Sequence, residues 1–279
     1  MINVALSHDV DRIKKTYQYF TQLVSAAKKL DGNKFNNQIK SFFSSEPYWC
    51  FDKMIEIEKK YSVKSTFFIL NESIDFQFTN INSWKLSLGR YKINESKLVD
   101  KILWLDQNGW EIGVHGSYNS YKDYNLLSDE KKTLENILGH EVIGIRQHYL
   151  NLDQNTWNLH RDAGFKYDSS WGFTDGIGFK EEKEKPFAPF KDSFIVYPLH
   201  VMDYCFINES QRWEKFQEIL EVVDKNNSLL VINWHQRVFN KSEFPQYSEN
   251  YTKIIEKLKN LNANFYTIGE YYNKFYNLI

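Results

Sequence analysis

The chain has 279 residues, and its 35 Lys and Arg are balanced by 36 Asp and Glu, which leaves a formal net charge of −1. A chain of this length can bury a full hydrophobic core, and α/β barrels of about 250 residues form a single domain. The charge balance gives no support to a nucleic-acid-binding or anionic-membrane-binding protein. We therefore expect one domain spanning residues 1–279.

The cysteines and the apolar runs limit the class of protein further. Cys50 and Cys205 lie far apart and form no Cys-x-x-Cys pair, so the sequence predicts neither a thiolate zinc site nor a disulfide framework. Residues 1–7 are too short for a signal peptide, and no apolar run reaches the roughly 18 residues of a membrane span. We expect a cytoplasmic protein without an integral membrane segment.

Short β-branched or aromatic runs alternate along the chain with longer amphipathic runs. The short runs predict strands at 3–7, 64–70, 111–115, 144–146, 193–199, 228–234 and 264–267. The amphipathic runs predict helices at 51–61, 94–108, 128–138, 152–163, 210–225 and 248–260. Because strands that alternate with helices pair in parallel, about seven such units predict an α/β fold with a closed or nearly closed barrel.

Two segments do not fit a minimal barrel. Residues 12–45 predict a helical insertion directly after the first strand, and residues 75–91 predict a polar, aromatic loop. Insertions at the carboxyl ends of barrel strands lie beside the active site and usually set substrate choice. The charged residues 180–185 predict a solvated loop.

The first strand ends in two carboxylates, Asp9 and Asp11, that are one residue apart. Side chains at positions i and i+2 of a strand share a face, so the two would point the same way. Carboxylates that close repel each other unless a cation or a raised pKa relieves them, which makes this strand end a candidate metal and general-base site. The alternative is that both are turn or cap residues.

Other polar residues follow the later predicted strands. His115 ends the third strand, Arg146 ends the fourth, and His235 ends the run 229–234. A single histidine at such a place is about as often structural as a ligand. Barrel enzymes place catalytic residues at the carboxyl ends of separate strands, so the recurrence of these residues favours an active site.

The ordered set of motifs resembles the polysaccharide deacetylase family, also called the NodB-homology or carbohydrate esterase 4 group. The motifs are Ser7-His8-Asp9-Val10-Asp11, Ser65-Thr66-Phe67-Phe68, His115-Gly116-Ser117-Tyr118-Asn119, Ile145-Arg146-Gln147-His148-Tyr149 and Trp234-His235. The resemblance covers roughly residues 1–270, without the insertion. It implies an irregular (β/α) barrel of the NodB type.

The resemblance also implies catalytic roles for individual residues. Asp9 resembles the general base of the family and His235 its general acid. Arg146 matches the arginine that orients the base, and Tyr149 matches the residue whose backbone N–H helps to form the oxyanion hole.

The implied metal site departs from the family pattern at one position. Asp11 and His115 match metal ligands, but Asn119 stands where a second histidine is expected. An asparagine carbonyl oxygen is usually a weaker zinc ligand than imidazole. We expect Asn119 to be the third ligand, with His148 and His8 as reserve candidates whose alternative role is a structural hydrogen bond.

Four residues are predicted to contact substrate. They are His148, Trp171, and the pair His200 and Asp203, in segments that resemble those bordering the pocket in this family. The alternatives are core packing for Trp171 and loop hydrogen bonding for His200 and Asp203.

The implied activity is metal-assisted hydrolysis of an N-acyl group, acetyl or formyl, on a sugar intermediate of surface polysaccharide (O-antigen or capsule) assembly. The implied cofactor is one divalent ion, Zn²⁺ in the first place, with Co²⁺, Mn²⁺ or Ni²⁺ as alternatives. Two other classes stay open: a non-catalytic carbohydrate-binding or scaffold protein, and a hydrolase of a small cyclic amide or ureide. The presence of Asp9, Asp11, Arg146 and His235 together favours the sugar amide hydrolase over the scaffold.

Overall fold

A computed structural model describes residues 1–28, 30, 32–43 and 46–276 of the chain. Residues 29, 31, 44 and 45 of the predicted insertion, and 277–279, lie outside the described residues. In the described part, nine strands form one sheet. They are β1 (Asn3–Val10), β2 (Ser65–Leu70), β3 (Glu111–Gly116), β4 (Gly144–Gln147), β5 (Tyr167–Asp168), β6 (Ile195–Val196), β7 (Val201–Met202), β8 (Leu229–Asn233) and β9 (Asn264–Tyr266).

The sheet is curled, and every pairing between its strands is parallel. The order is β6-β5-β4-β3-β2-β1-β8-β7, and β9 pairs with β1. On one side, β1 pairs with β8 from Asn3↔Leu229 to Ser7↔Asn233. On the other side, β9 pairs with residues 3–5 of β1 and β2 pairs with residues 6–10. The predicted α/β class, with parallel strands in a nearly closed barrel, is confirmed.

A connecting segment bridges the gap between the two ends of this sheet. The backbone N–H of Tyr197 donates to Asp168, that of Leu199 to Trp171, and that of His200 to Val231. The segment therefore crosses from the β5 side to β8. The sequence predicted one strand over 193–199, whereas the structure has the short strands β6 and β7 on either side of this crossing.

The six predicted helices are all present, with ends that differ by a few residues. They are α3 (Phe51–Lys60), α5 (Ser96–Gln107), α6 (Tyr124–Leu138), α7 (Thr156–Asp162), α9 (Arg212–Asn226) and α10 (Tyr247–Asn260). The Asp123 carboxylate caps the start of α6, and Gly139 ends it in the left-handed conformation that glycine adopts without steric cost. No helix in the described part is long and apolar enough to span a bilayer.

Five further helices complete the described chain. The insertion contains α1 (Gln18–Lys28) and α2 (Gly32–Ser41), which we call the insertion helices. The others are α4 (Ile81–Ser87) within the predicted loop, α8 (Asp203–Asn208) and α11 (Ile268–Phe275). A buried ion pair between Lys15 and Glu243 ties the start of the insertion to the segment after β8.

The two faces of β1 belong to different parts of the core. Val4, Leu6 and Val10 belong to the hydrophobic cluster outside the barrel, whereas Ala5 belongs to a cluster inside it. Because side chains alternate along a strand, the polar residues Ser7 and Asp9 also face inward. The barrel interior thus becomes polar toward the carboxyl end of β1.

Candidate active site

A cavity of about 420 Å³ opens at the carboxyl ends of the strands, and both carboxylates of the first motif line it. Asp9 is the penultimate residue of β1, and Asp11 follows directly after the strand. Asp9 is only 3% exposed. His115, His148, Tyr149, Asp203 and His235 line the same cavity.

Asp9 is held by two donors from neighbouring strands. Arg146 Nη1 donates to one carboxylate oxygen over 3.0 Å, and Asn233 Nδ2 donates to the other over 2.7 Å. Burial raises the pKa of Asp9, but the Arg146 guanidinium and the imidazoles of His115 and His235 outweigh it and hold the pKa below its usual value. The side chain is therefore an ionised carboxylate of fixed orientation.

Arg146 is itself fully buried, and each of its donor groups has a partner. Its Nε and Nη2 donate to the carbonyl and hydroxyl of Ser169 over 2.9 and 2.8 Å, and Nη1 also donates to the Ser7 hydroxyl over 2.8 Å. Its guanidinium lies 4.5 Å from the centre of the Phe68 ring. A planar guanidinium suits this site because its fixed fork can satisfy several acceptors at once.

Asp11, His115 and His148 form a cluster whose ligand atoms all lie within 4.8 Å of one another. His115 Nδ1 donates to the Arg146 carbonyl over 2.8 Å, which leaves Nε2 directed at Asp11 Oδ1, 3.2 Å away. Asp11 Oδ1 is buried and accepts no hydrogen bond from the described residues. An imidazole with one nitrogen tied to a carbonyl and the other directed at a buried carboxylate oxygen is a usual arrangement around a metal ion.

The third member of the cluster is His148, not the predicted Asn119. Asn119 immediately precedes a short 3₁₀ helix, Ser120–Lys122, and is not among the residues lining the cavity. His148 follows β4 next to β3, so adjacent parallel strands bring its ring to 5.2 Å from that of His115. The geometry therefore favours the reserve candidate His148, which follows a different strand, over Asn119 as the third candidate ligand.

Arg237 is a cavity residue that the sequence interpretation missed. Its Nη1 donates to Asp11 Oδ2. Burial raises the pKa of Asp11, but Arg237 and His235 outweigh it, and the pKa lies well below its usual value. Arg237 lies two residues after His235 in the sequence, and that spacing was the available signal.

His235 faces both carboxylates of the first motif. Its Nε2 lies 3.6 Å from Asp11 Oδ2 and 3.9 Å from Asp9 Oδ2. On the other side of the ring, Nδ1 donates to Asp203 Oδ2 over 2.9 Å, and the backbone N–H of His235 donates to the same oxygen. Burial lowers the pKa of His235, but Asp203 and Asp11 more than compensate and raise it to about 9.

Tyr149 lies at the cavity edge in a left-handed backbone conformation, with φ of +60°. Leu150 also has a positive φ, +54°. Two consecutive non-glycine residues in this region are uncommon and tend to be kept where a site needs a particular backbone direction.

Two of the residues predicted to contact substrate lie away from the cavity. Trp171 packs between Trp157 and Phe187, with ring centres 5.5 and 6.5 Å away. His200 is buried inside the barrel, where its Nδ1 accepts from the Val231 N–H and burial lowers its pKa to about 3. These positions correct both substrate-contact predictions in favour of their structural alternatives.

His8, a reserve ligand candidate, points to the opposite face of β1 from Asp9. Its Nδ1 donates to the Trp234 carbonyl over 2.5 Å, and its Nε2 lies 2.8 Å from Glu58 Oε1. Both nitrogens are therefore used in a buried structural network, and alternation along the strand explains why.

Aromatic side chains that the sequence interpretation did not assign also line the cavity. They come from the insertion, from the segment after it and from the region following β7 and β8: Tyr17, Tyr48, Tyr204, Phe244 and Tyr247. Flat rings with hydroxyl groups provide apolar faces and polar edges to a ligand.

No protein-family model matches the sequence, and no curated protein is a significant match to it. Solved structures do share its fold. A probable polysaccharide deacetylase from Pseudomonas aeruginosa PAO1 superimposes with a TM-score of 0.58 at 11% identity, over 98% of this chain and 90% of that one. Puue allantoinase has a TM-score of 0.58 at 14% identity, over 98% and 89% of the two chains.

A 4-alpha-glucanotransferase from Thermococcus litoralis superimposes with a TM-score of 0.55 at 13% identity, over 99% of this chain and 38% of that one. At these identities the likeness concerns the fold. Together with the parallel strand order and the acidic motif at the end of β1, it identifies this chain as having the NodB-type (β/α) barrel fold of the polysaccharide deacetylases.

Proposed function

We propose that this protein is a metal-dependent hydrolase that removes an N-acyl group from a sugar. The observation that supports the proposal most is the position of ionised Asp9 beside the Asp11, His115 and His148 cluster, with His235 facing both. A base, a cluster that can hold a metal and an acid around one cavity are the groups that metal-assisted amide hydrolysis uses.

The residues present fit a divalent ion. Asp11 would supply an oxygen, and His115 and His148 would each supply an imidazole nitrogen, a donor set suited to Zn²⁺. Asp11 Oδ1 is buried, accepts no hydrogen bond from the described residues and lies 3.2 Å from His115 Nε2, which supports this assignment. When bound, the ion would polarise the acyl carbonyl and so stabilise the transition state by several kcal/mol. It would also favour ionisation of the attacking water.

Asp9 is placed to take the proton of the attacking water. Its carboxylate carries two hydrogen bonds, from Arg146 and Asn233, that favour the ionised form. The same bonds prevent the carboxylate from rotating, so its free lone pairs stay directed at the cavity. The Tyr149 N–H at the cavity edge is proposed to stabilise the tetrahedral oxyanion.

His235 is placed to protonate the departing amine. Its raised pKa, about 9, keeps the imidazole protonated at neutral pH, as a general acid must be. Asp203 accepts from Nδ1 and so directs Nε2 into the cavity. An amide nitrogen leaves only when it is protonated, so this residue is required to complete the reaction.

The cavity lining supports a sugar in preference to a small ureide. Tyrosines at its mouth, among them Tyr17, Tyr204 and Tyr247, provide surfaces on which a pyranose ring stacks and hydroxyl groups that bond to it. We propose a sugar intermediate of surface polysaccharide assembly as the substrate class, with acetyl as the acyl group.

Replacement of Asp9 tests the proposal. Asp9→Asn should lower amine release from N-acetylated sugars by about 100- to 10,000-fold, because the amide cannot accept the water's proton. Elemental analysis should still find about one zinc per chain in this variant, since Asp9 is not a ligand. The exposed Asp162→Asn is the matched control and should keep full activity.

Two outcomes would contradict the proposal. If purified wild-type protein binds no divalent ion yet still binds a sugar, the scaffold alternative is favoured. If allantoin or another ureide is hydrolysed faster than any N-acyl sugar, the reaction belongs to the third class.

A further inference from the structure

The insertion helices carry a concentration of exposed apolar side chains. Seven of the sixteen large hydrophobic side chains that are exposed in the described part of the chain lie between residues 20 and 43. We call these seven the apolar patch: Phe20, Val24, Leu30, Phe35, Ile39, Phe42 and Phe43. Concentrations of this kind on a protein surface mark a site of interaction.

The spacing of these residues places them on one surface. Phe20 and Val24 are one turn apart on α1, and Phe35 and Ile39 are one turn apart on α2. The rings of Phe20 and Phe42 approach to 6.4 Å and connect the two helices. Phe43 extends the surface and is 88% exposed.

The opposite side of α1 faces the cavity. Gln18 and Gln22, one turn apart, line the cavity, and Ala26 on the same side is fully buried. The helix therefore has one face at the cavity mouth and an apolar face directed outward. An outward apolar face gains no stability from the fold and needs a separate explanation.

The insertion is also much more basic than the rest of the chain. Residues 12–45 contain seven Lys and Arg and one acidic residue. The rest of the chain contains 28 Lys and Arg and 35 Asp and Glu. Lys28 and Lys40 are exposed and form no ion pair with any residue that the structure describes. A phenylalanine-rich face flanked by lysines is typical of helices that lie in the interface of an anionic bilayer.

The same charge disfavours a second copy of the chain as the occupant. Two insertions packed against each other through the apolar patch would bring Lys28 and Lys40 of both copies together, and like charges across an interface cost affinity. A surface of anionic phospholipid satisfies both the apolar side chains and the lysines.

We propose that the insertion helices dock this protein on an anionic phospholipid bilayer. The apolar patch enters the boundary between headgroups and acyl chains, and Lys28 and Lys40 contact the headgroups. Because Gln18 and Gln22 line the cavity from the other side of α1, docking places this helix between the cavity and the membrane surface. The inference does not depend on the reaction catalysed.

Co-sedimentation of the full chain with vesicles tests the proposal. Vesicles of phosphatidylcholine with phosphatidylglycerol should bind the protein at low ionic strength, pure phosphatidylcholine should bind it much less, and added salt should weaken binding. Phe20→Ser with Phe43→Ser, and separately Lys28→Glu with Lys40→Glu, should each weaken binding by at least about ten-fold.

A matched control uses exposed apolar residues elsewhere. Leu261→Ser with Phe275→Ser removes two side chains of substantial exposure outside the insertion and should leave vesicle binding unchanged. Circular dichroism establishes that each variant is folded. Asp9→Asn should bind vesicles like wild type, which separates the docking from the proposed reaction.

Three results would overturn the proposal. Absence of binding to the anionic vesicles by folded wild-type protein is the first, and equal binding to both kinds of vesicle is the second. The third is a dimer, found by light scattering, that Phe20→Ser with Phe43→Ser dissociates while the wild type ignores vesicles. That result would assign the apolar patch to a second copy.

Discussion

Single side chains in the cavity depend on partners that come from distant parts of the sequence. Asp9 is ionised although it is buried, because Arg146 and Asn233 donate to its two oxygens. An isolated buried carboxylate would instead protonate. The chemical role of a residue here is therefore set by two or three neighbours, and removing a neighbour should change it.

Asp203 holds the imidazole ring of His235 in place. Asp203→Asn should lower kcat for amine release by about 10- to 100-fold, because the amide no longer holds the His235 ring as a protonated donor. KM should change little, since Asp203 holds the acid and not the substrate. Steady-state kinetics would show the fall in kcat at nearly constant KM, with the exposed Asp162→Asn as the control. A rise in KM at constant kcat would instead make Asp203 a substrate-binding residue.

Among the helices, α6 has an effect on the loop that follows His115. Glu130 on this helix is 3% exposed, and one of its oxygens accepts from the Ser117 N–H over 3.2 Å. The other oxygen accepts no hydrogen bond from the described residues. Burial raises the pKa of Glu130 to about 8, which the Ser117 hydrogen bonds only partly oppose, so the carboxyl is protonated at neutral pH.

A raised carboxyl pKa makes stability fall as the pH increases. The contribution of protonated Glu130 is complete below its ordinary pKa of 4.5 and is lost as the pH rises through about 8. Glu130→Gln keeps a neutral side chain, so it should match wild type near pH 4 and be more stable above pH 8, by on the order of 3 kcal/mol. Urea unfolding across this range measures the difference.

Asp129→Asn is the matched control for this prediction. Asp129 is the preceding residue on α6 and is exposed, so its replacement should leave the pH dependence of unfolding unchanged. If Glu130→Gln is less stable than wild type at high pH, the ionised carboxylate makes favourable contacts and the assignment is wrong.

At the scale of the whole molecule, the cluster joins three separate strands. Asp11 follows β1, His115 lies on β3, and His148 follows β4. The unfolded chain cannot hold these residues together, so an ion that binds them stabilises only the folded barrel.

Zinc should therefore raise the melting temperature of the protein. At a concentration of about 100 times Kd, binding adds roughly 2.7 kcal/mol, which corresponds to an increase of about 5 °C or more for a domain of this size. Differential scanning calorimetry with and without a chelator measures it. His115→Ala should abolish the shift, whereas replacement of the exposed His140 should not. An equal shift in both variants would place the ion elsewhere.

The overall charge illustrates how a property of the whole molecule can conceal a local one. A net charge of −1 argued against an anionic membrane surface, yet residues 12–45 are strongly basic and the remainder is acidic. The opposite charges of the two parts cancel in the net charge of the whole chain. Only the placement of Phe20 and Lys28 on the exposed side of α1 shows why the contrast matters.

The parallel barrel and its reactive edge could be predicted from the sequence alone, because both depend on local patterns. Apolar runs alternating with amphipathic ones determine the strands and helices, and the carboxyl ends of parallel strands share one edge. For the same reason, the sequence predicts five reactive residues at strand ends: Asp9, Asp11, His115, Arg146 and His235. All of them line the cavity or contact a residue that does.

Other features were decided only by tertiary structure. The two-residue strands β5 and β7 exist because a neighbouring strand pairs with them, and no sequence periodicity can show so short an element. Asn119 and His148 are both close in sequence to strand ends, but of the two it is His148 that lines the cavity beside Asp11. His8 lies on the face of β1 that points away from the cavity, where it contacts Glu58. Arg237 lies in a short 3₁₀ helix after β8, Gln236–Phe239, which brings its side chain to Asp11.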